Sequence, residues 1–279
     1  MDVITEPFGF VFMQRAFVAA GIAAIVCAVV GTYVVLRGLS FMGDAVAHSS
    51  LTGMAAAYVL GGSVFWGALA WVVPASLAIT YISQRARLLM DTSIGIIYAG
   101  GFALGIIIIS RSSGYTSDLF SFLFGNVLGV SWGEVASIGV IAAIVVGAVL
   151  LLYKELLFTS YDATMAAASG VPVRMVQFLL PLLVGVTTVA AVKTVGIVLV
   201  LALLVIPAAT AVLLARRFPA IMATAVVLAL VGTVAGLYIS YYLDTPAGPT
   251  IVLVAVGFFA VAMVVSPSRG ILRRRGAEV

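Results

Sequence analysis

Long apolar runs, separated by short polar or turn-forming segments, occupy most of the chain. A transmembrane helix needs about 20 mostly apolar residues, whereas strands of a membrane barrel alternate in polarity over about 10. The runs here do not alternate and are rich in Leu, Ala, Val and Gly, which predicts helices. They cover residues 16–36, 44–60, 64–83, 92–110, 135–153, 175–192, 195–215, 219–243 and 249–265. We therefore expect nine crossings, or eight if one run is re-entrant.

Composition supports an all-α membrane protein built as a polytopic helical bundle. Of the 279 residues, 64% are hydrophobic and 9% are charged, against roughly 45–50% and about 25% in soluble domains. No linker, charge block or repeat of fixed period divides the chain. We therefore expect one domain over 1–279.

Basic residues predict the orientation of the bundle, because short cytoplasmic loops are enriched in Lys and Arg. With the C-terminal RGILRRR inside, eleven of the 14 basic residues fall inside and three outside. The inside set is Arg37, Arg85, Arg87, Lys154, Arg174, Arg216, Arg217, Arg269, Arg273, Arg274 and Arg275. The outside set is Arg15, Arg111 and Lys193. Nine crossings would put the N-terminus outside, and the arginine tail is expected to anchor the last helix and not to bind nucleic acid.

Two less apolar stretches interrupt the spans. Residues 111–134, outside, are expected to lie along the membrane surface or to dip into the bundle. Residues 153–174, inside, predict a short amphipathic helix that Asp162 would begin and a glycine would end. The residues of interest in this inner stretch are Glu155, Asp162, Ala163 and Gly170. The helix is either a plain connection or a docking helix for a cytoplasmic partner.

The run at 192–217 opens with Lys193 and Gly196 and contains Pro207. Proline removes a backbone hydrogen bond and bends a membrane helix. Transporters place broken helices at binding sites and gates. A gate and a simple kink both fit this pattern.

The only histidine, His48, follows Asp44 by four residues at the head of an apolar run. Residues four apart share one face of a helix, and a lone carboxylate inside a bilayer costs about 2.5–3.5 kcal/mol. A carboxylate with an imidazole suits manganese, iron(II) or zinc. Three interpretations remain open: a metal site, a structural pair or helix cap, and a proton relay.

The metal interpretation needs further ligands, because first-row metals take about four to six donors. The single cysteine, Cys27, is expected to be a buried packing residue, and it cannot form an internal disulfide or a multi-thiolate site. The missing donors would be water, backbone carbonyls or a second copy of the same helix. A two-fold homodimer would bring two such helices together.

The segment RGLSFMGDAVAHSSLTGMAAAYVLG, residues 37–61, resembles the G-D-A-x-x-H segment of permeases of manganese, zinc and iron ABC importers. Four more segments match in order, so that the resemblance covers nearly the whole chain: 91–110, 122–132, 194–211 and 244–253. It implies the type II ABC importer permease fold with eight to nine transmembrane helices. It also implies a homodimer, two cytoplasmic ATP-binding subunits and an extracytoplasmic metal-binding protein.

The same resemblance implies that Asp44 and His48 are metal ligands in the translocation path. It places a coupling helix within 154–172, around Glu155 to Gly170. Zinc-type relatives often carry another histidine in the span matching 92–110, which this chain lacks. We therefore expect manganese as the transported ion, with iron(II) next and zinc third, and no permanently bound cofactor.

Sequence also limits the competing function classes. The chain has no G-x-x-x-x-G-K-[ST] loop, so ATP hydrolysis would belong to partner subunits and the chain would not be an enzyme. ATP-driven motion would act by alternating access. An ion-coupled secondary metal transporter is the alternative, although Asp44 is the only acid clearly within a span. One histidine is too few for an intramembrane hydrolase. The expected location is the bacterial cell membrane.

Overall fold

The computed structural model describes residues 6–111 and 129–266. Within these ranges the chain is almost entirely helical and contains no strand. A 3₁₀ turn at Glu6–Gly9 comes first. It is followed by α1 (Val11–Leu36), α2 (Met42–Ser49), α3 (Leu51–Val59), α4 (Val64–Ala86), α5 (Met90–Ser110), α6 (Trp132–Leu151), α7 (Tyr153–Tyr161), α8 (Ala163–Ala168), α9 (Val173–Val195), α10 (Ile197–Leu214), α11 (Phe218–Leu243) and α12 (Ala247–Val265).

Eight of the described helices are long and apolar enough to cross a membrane, namely α1, α4, α5, α6, α9, α10, α11 and α12. Their bounds lie within a few residues of eight predicted runs. The prediction of an all-α polytopic bundle is confirmed. The ninth predicted run, at 44–60, is divided into α2 and α3.

Two serine side chains bond the backbone carbonyls beside the division at residue 50. The hydroxyl of Ser49 donates to the Val46 carbonyl at 3.1 Å, and the hydroxyl of Ser50 donates to the Ala47 carbonyl at 2.6 Å. Side-chain bonds of this kind compete with the helix's own backbone ladder. Ser50 keeps helical backbone angles, φ −62° and ψ −17°, so that the chain continues in one general direction.

Contacts show that α2 and α3 together run from one end of the bundle toward the other. Phe41, just before α2, lines the same cavity as Asp91 at the start of α5. Gly53 of α3 packs against the backbone of Gly67, close to the start of α4. Because α4 ends just before α5 begins, these two starts lie at opposite ends of the bundle. The pair therefore takes a ninth path beside the eight long helices.

The centre of the bundle is formed by α1, α9 and α10, which are the most buried of the long helices. Cys27 of α1 is fully buried within this apolar core, as expected. In contrast, α5 and α12 bury only about a fifth of their most apolar window. Their exposed apolar faces are free to contact lipid or another chain.

Basic side chains near the two ends make contacts that agree with the predicted inside and outside sets. The Arg15 guanidinium donates to a backbone carbonyl just before α6, and Lys193 pairs with Glu134 at the start of α6. At the other end, Arg37 Nε donates to Ser160 Oγ of α7 at 2.8 Å.

Two sequence predictions fall largely outside the described residues. They concern residues 112–128 of the outer stretch and the C-terminal segment from 267 onward, which carries the arginine tail. Both stay predictions.

Candidate metal site

Asp44 and His48 lie on the same face of α2, in its first and last turns. His48 Nε2 is 3.5 Å from Asp44 Oδ1. The exposed fraction is 22% for the His48 side chain and 33% for that of Asp44. The two donors predicted from sequence therefore meet, and both can be reached from the surface of the single chain.

An aromatic wall from α5 orients the imidazole. The His48 ring meets Tyr98 edge-on, with centroids 5.5 Å apart, and Phe102 at 90° with centroids 5.7 Å apart. The two aromatic rings are nearly parallel to each other. Such edge-to-face contacts restrict the ring that they hold. Sequence analysis missed both residues, although their spacing of four places them on one helix face.

Two glycines allow α5 to lie close enough to form this wall. A Cβ built on Gly101 would lie 2.7 Å from the Cβ of Ser49, and one on Gly105 would lie 2.9 Å from carbon atoms of Leu51. Both distances are far below ordinary carbon contacts of about 3.5–4.0 Å. Thr52 Oγ1 also donates to the Gly101 carbonyl. Close helix packing through glycine therefore sets the distance between the donors and the wall.

The structure rejects the interpretation of Asp44 as a helix cap. The N-cap residue of α2 is Phe41, and no described side chain caps this end by a hydrogen bond. Asp44 lies inside the first turn, with its carboxylate directed to His48. The metal site, the structural pair and the proton relay remain as interpretations of the geometry alone.

The donors lie beside the middle parts of long helices, although Asp44 is near the inner end of its own helix. Gly43 faces Thr188 in the second half of α9 and Leu204 in the middle of α10. His48 lies beside the middle of α5, at Tyr98 and Phe102. The connection from α1 to α2 therefore enters the bundle before α2 begins.

A cavity of about 310 Å³ lies beside Asp44. Its lining is Phe41, Asp44, Ala45, Asp91, Ile94, Gly95 and Tyr98. Asp91 adds a second carboxylate to this cavity, a neighbour that sequence analysis did not assign. Among the described residues, no group of three or more His, Cys, Asp or Glu side chains could hold a metal ion. One chain thus supplies two donors and an incomplete ligand set.

The inner segment forms two helices, α7 and α8, where sequence predicted one. Asp162 Oδ1 accepts hydrogen bonds from the amides of Thr164 and Met165, each at 2.9 Å, and so caps α8. Gly170 follows this helix with φ +85°, a conformation suited to glycine. The predicted start and stop of the short helix are confirmed.

Only Ala166 of α8 is buried in the single chain, while Ala163 is half-buried. Tyr161 and Met165 are 65% and 60% exposed. By contrast, Glu155 of α7 has a buried Oε2 without a hydrogen-bond partner among the described residues. Exposed apolar side chains, which sequence analysis did not single out, therefore dominate the accessible surface here.

At the outer end, Lys193 Nζ lies 2.9 Å from Glu134 Oε1 and 5.3 Å from the ring centroid of Phe65. Gly196, with φ +83°, separates α9 from α10. Pro207 lies within α10, and the helix continues through it. The break in this region is therefore at Gly196 and not at Pro207. The ion pair and ring contacts described for Asp44 and His48 involve none of these residues.

Comparison with known proteins gives a consistent result. A family model described as "ABC 3 transport family" matches residues 9–266. The manganese transport system membrane protein MntC of Halalkalibacterium halodurans is 43% identical over 269 residues, covering 96% of this chain and 92% of that protein. The chelated iron transport system membrane protein YfeD of Yersinia pestis is 36% identical over 278 residues, covering 100% of this chain and 93% of that protein.

Two solved structures share the architecture. A chain of PsaBC from Streptococcus pneumoniae in complex with Fab has a TM-score of 0.86 and 35% identity, covering 98% of this chain and 99% of that chain. An inward-facing metal-chelate type ABC transporter has a TM-score of 0.71, with 90% of this chain and 85% of that chain covered. Its identity of 19% supports the fold alone.

Proposed function

The chain belongs to the ABC 3 transport family, and we propose that it is the membrane permease of an ATP-driven importer of divalent transition-metal ions, with manganese as the main substrate. It is a multi-pass protein of the bacterial membrane and a transport component, not an enzyme. Its fold is that of an ABC importer permease.

The metal assignment rests on one observation: Asp44 and His48 meet on one helix face of an apolar bundle, against an aromatic wall from a neighbouring helix. An acid within the apolar part of a membrane is costly without a partner. Carboxylate oxygen and imidazole nitrogen together suit manganese, iron(II) and zinc. The names of similar proteins refer to manganese or iron, which supports manganese first and iron second; zinc stays third because the chain lacks a further histidine.

The missing donors support a homodimer with the metal shared between two copies. Asp44 and His48 are partly exposed in the single chain, and α5 beside them is mostly unburied. A two-fold axis at this face would bring two carboxylates and two imidazoles together. Four such donors would reach the lower limit of a first-row metal's coordination.

The energy would come from two cytoplasmic ATP-binding subunits that dock on the α7–α8 segment, within 154–172. The exposed side of α8, held in place by the Asp162 cap, supports this role. A metal-binding protein would deliver the ion on the outer side. The whole chain, 1–279, would act as one permease domain. Alternating access would move its helices about the break at Gly196. Lys193 lies just before this break at the outer end, and Pro207 lies within the helix that follows it.

The test is the metal content of the purified permease complex, measured by inductively coupled plasma mass spectrometry after loading with manganese, iron(II) or zinc. The wild type is expected to bind about one ion per two chains. The double variant, Asp44→Ala and His48→Ala, is expected to lose this ion while it still assembles with the ATPase. Asp244→Asn is the matched control, because it removes an acid from the C-terminal end of α11, away from the site. The backbone at Asp244 is left-handed, a conformation that Asn accepts. Equal metal in wild type and double variant would refute the site.

A second measurement tests the energy source. Metal uptake into proteoliposomes should require ATP, and Asp44→Ala should abolish it. Uptake driven by an ion gradient without ATP would instead favour a secondary transporter. Glu155→Gln and Asp162→Ala should separate ATP hydrolysis from uptake, and normal coupling in both variants would remove the docking role of the α7–α8 segment.

A further inference from the structure

A second cavity, distinct from the one beside Asp44, lies at the inner end of the bundle. Its volume is about 420 Å³, and it is enclosed by the end of α1, the end of α4, the start of α5, and parts of α7 and α9. Its polar lining consists of Arg37, Thr80, Ser83, Gln84, Thr159, Ser160 and Gln177. No Asp or Glu of the described residues lines it. The lining therefore carries one positive charge and no negative charge.

The hydrogen-bond donors of the Arg37 guanidinium are only partly paired in this position. Its Nε donates to Ser160 Oγ, but its buried Nη2 has no hydrogen-bond partner in the described part of the chain. Neither of the two ion pairs found there involves Arg37. Burial lowers the pKa of this guanidinium, because removal from water disfavours its charge. A buried, unpaired N–H of a charged group is among the more costly defects in a fold.

A second lining group is also unpaired. The buried hydroxyl of Thr159, one residue before Ser160, has no hydrogen-bond partner among the described residues. In contrast, Gln84 and Gln177 bond each other across the rim at 2.9 Å, and Ser83 donates to a backbone carbonyl. The unsatisfied donors are thus concentrated where α1 meets α7.

We propose that this cavity binds a phosphate group through Arg37, supplied by an anionic lipid headgroup or by free phosphate. The planar guanidinium fork matches phosphate oxygens, which accept several hydrogen bonds at once. Basic pockets between helices on the cytoplasmic side are suited to anionic headgroups. The bound group would connect α1 and α4 with α7, and would link the membrane bundle to the segment proposed to dock the ATPase.

The experiment uses the complete permease–ATPase complex in nanodiscs. In one arm, phosphatidylcholine discs receive increasing inorganic phosphate. In the other, phosphatidylglycerol replaces part of the phosphatidylcholine without added phosphate. The readout is the change in thermal unfolding midpoint that each addition causes within each variant, so that a lower starting midpoint does not affect the comparison. A rise with phosphate identifies the free anion, and a rise only with phosphatidylglycerol identifies the lipid.

Arg37→Gln should raise the half-saturating concentration of phosphate or phosphatidylglycerol roughly tenfold to a hundredfold, as expected for a hydrogen bond to a charged group. Arg85→Gln is the matched control, since this exposed arginine at the same end of α4 lies outside the cavity. Thr159→Val keeps the side-chain shape and should weaken binding in the same direction. Arg85→Gln should respond as the wild type does. The proposal is overturned if neither addition stabilises the wild type, or if Arg37→Gln responds no differently from Arg85→Gln.

Discussion

Replacing Gly101 with alanine should weaken metal binding without touching either donor. The new Cβ would lie 2.7 Å from the Cβ of Ser49 and 3.2 Å from its Cα. Ordinary carbon contacts are about 3.5–4.0 Å, so α5 must move away from α2 by about 1 Å. Overpacking of this kind costs about 1–3 kcal/mol. If all of that strain appears in the binding equilibrium, affinity falls between about fivefold and about 150-fold.

The mechanism of this loss is displacement of Tyr98 and Phe102 from the His48 ring. The hydrogen bond from Thr52 to the Gly101 carbonyl would weaken as well. The assay is manganese binding by the purified complex, with thermal unfolding measured on the same samples. The expected result is weaker binding together with a lower unfolding midpoint.

Gly147→Ala is the matched control for this prediction. It adds the same methyl group to another long helix, α6, where a Cβ would meet nothing within 4 Å. Wild-type affinity in Gly101→Ala, or an equal loss in Gly147→Ala, would refute the packing argument.

Three further predictions concern other parts of the chain. Lys193→Gln and Glu134→Gln should each slow uptake, while their double-mutant cycle in thermal unfolding gives at most about 1 kcal/mol, since this pair is partly exposed. Asp162→Ala should destabilise α8 by about 0.5–2 kcal/mol through loss of its cap, and proteoliposome assays should then show ATP hydrolysis that no longer follows uptake. Cys27→Ser should lower the unfolding midpoint by burying a hydroxyl in an apolar core, at about 1–3 kcal/mol, and metal preference should stay unchanged.

Features encoded by local sequence could be predicted well. Apolar runs gave eight of the long helices, since a bilayer requires a fixed length of apolar chain. Asp162 and Gly170 marked the ends of α8, because caps depend on only a few neighbouring residues. The spacing of Asp44 and His48 placed them on one helix face for the same reason.

Features that depend on long-range packing were not visible in the sequence. Tyr98 and Phe102 are about 50 residues from His48 along the chain, and only the approach of α5 through Gly101 brings them to the imidazole. Pro207 suggested a break because proline removes a backbone bond, but α10 continues through it. The actual break is at Gly196, where a left-handed φ angle requires glycine.

One helix, α9, connects the proposed docking segment to the proposed metal site. It begins shortly after α8, and its Thr188 faces Gly43, next to Asp44. The wall reaches the same donors from a different helix, α5. Changes at the two places should therefore have different effects: a variant of α8 alters the ratio of ATP hydrolysis to uptake while metal affinity is kept, whereas Gly101→Ala lowers affinity and leaves that ratio unchanged. If the α8 variant and Gly101→Ala both changed metal affinity and the ratio of ATP hydrolysis to uptake in the same manner, docking and metal binding would not be separable.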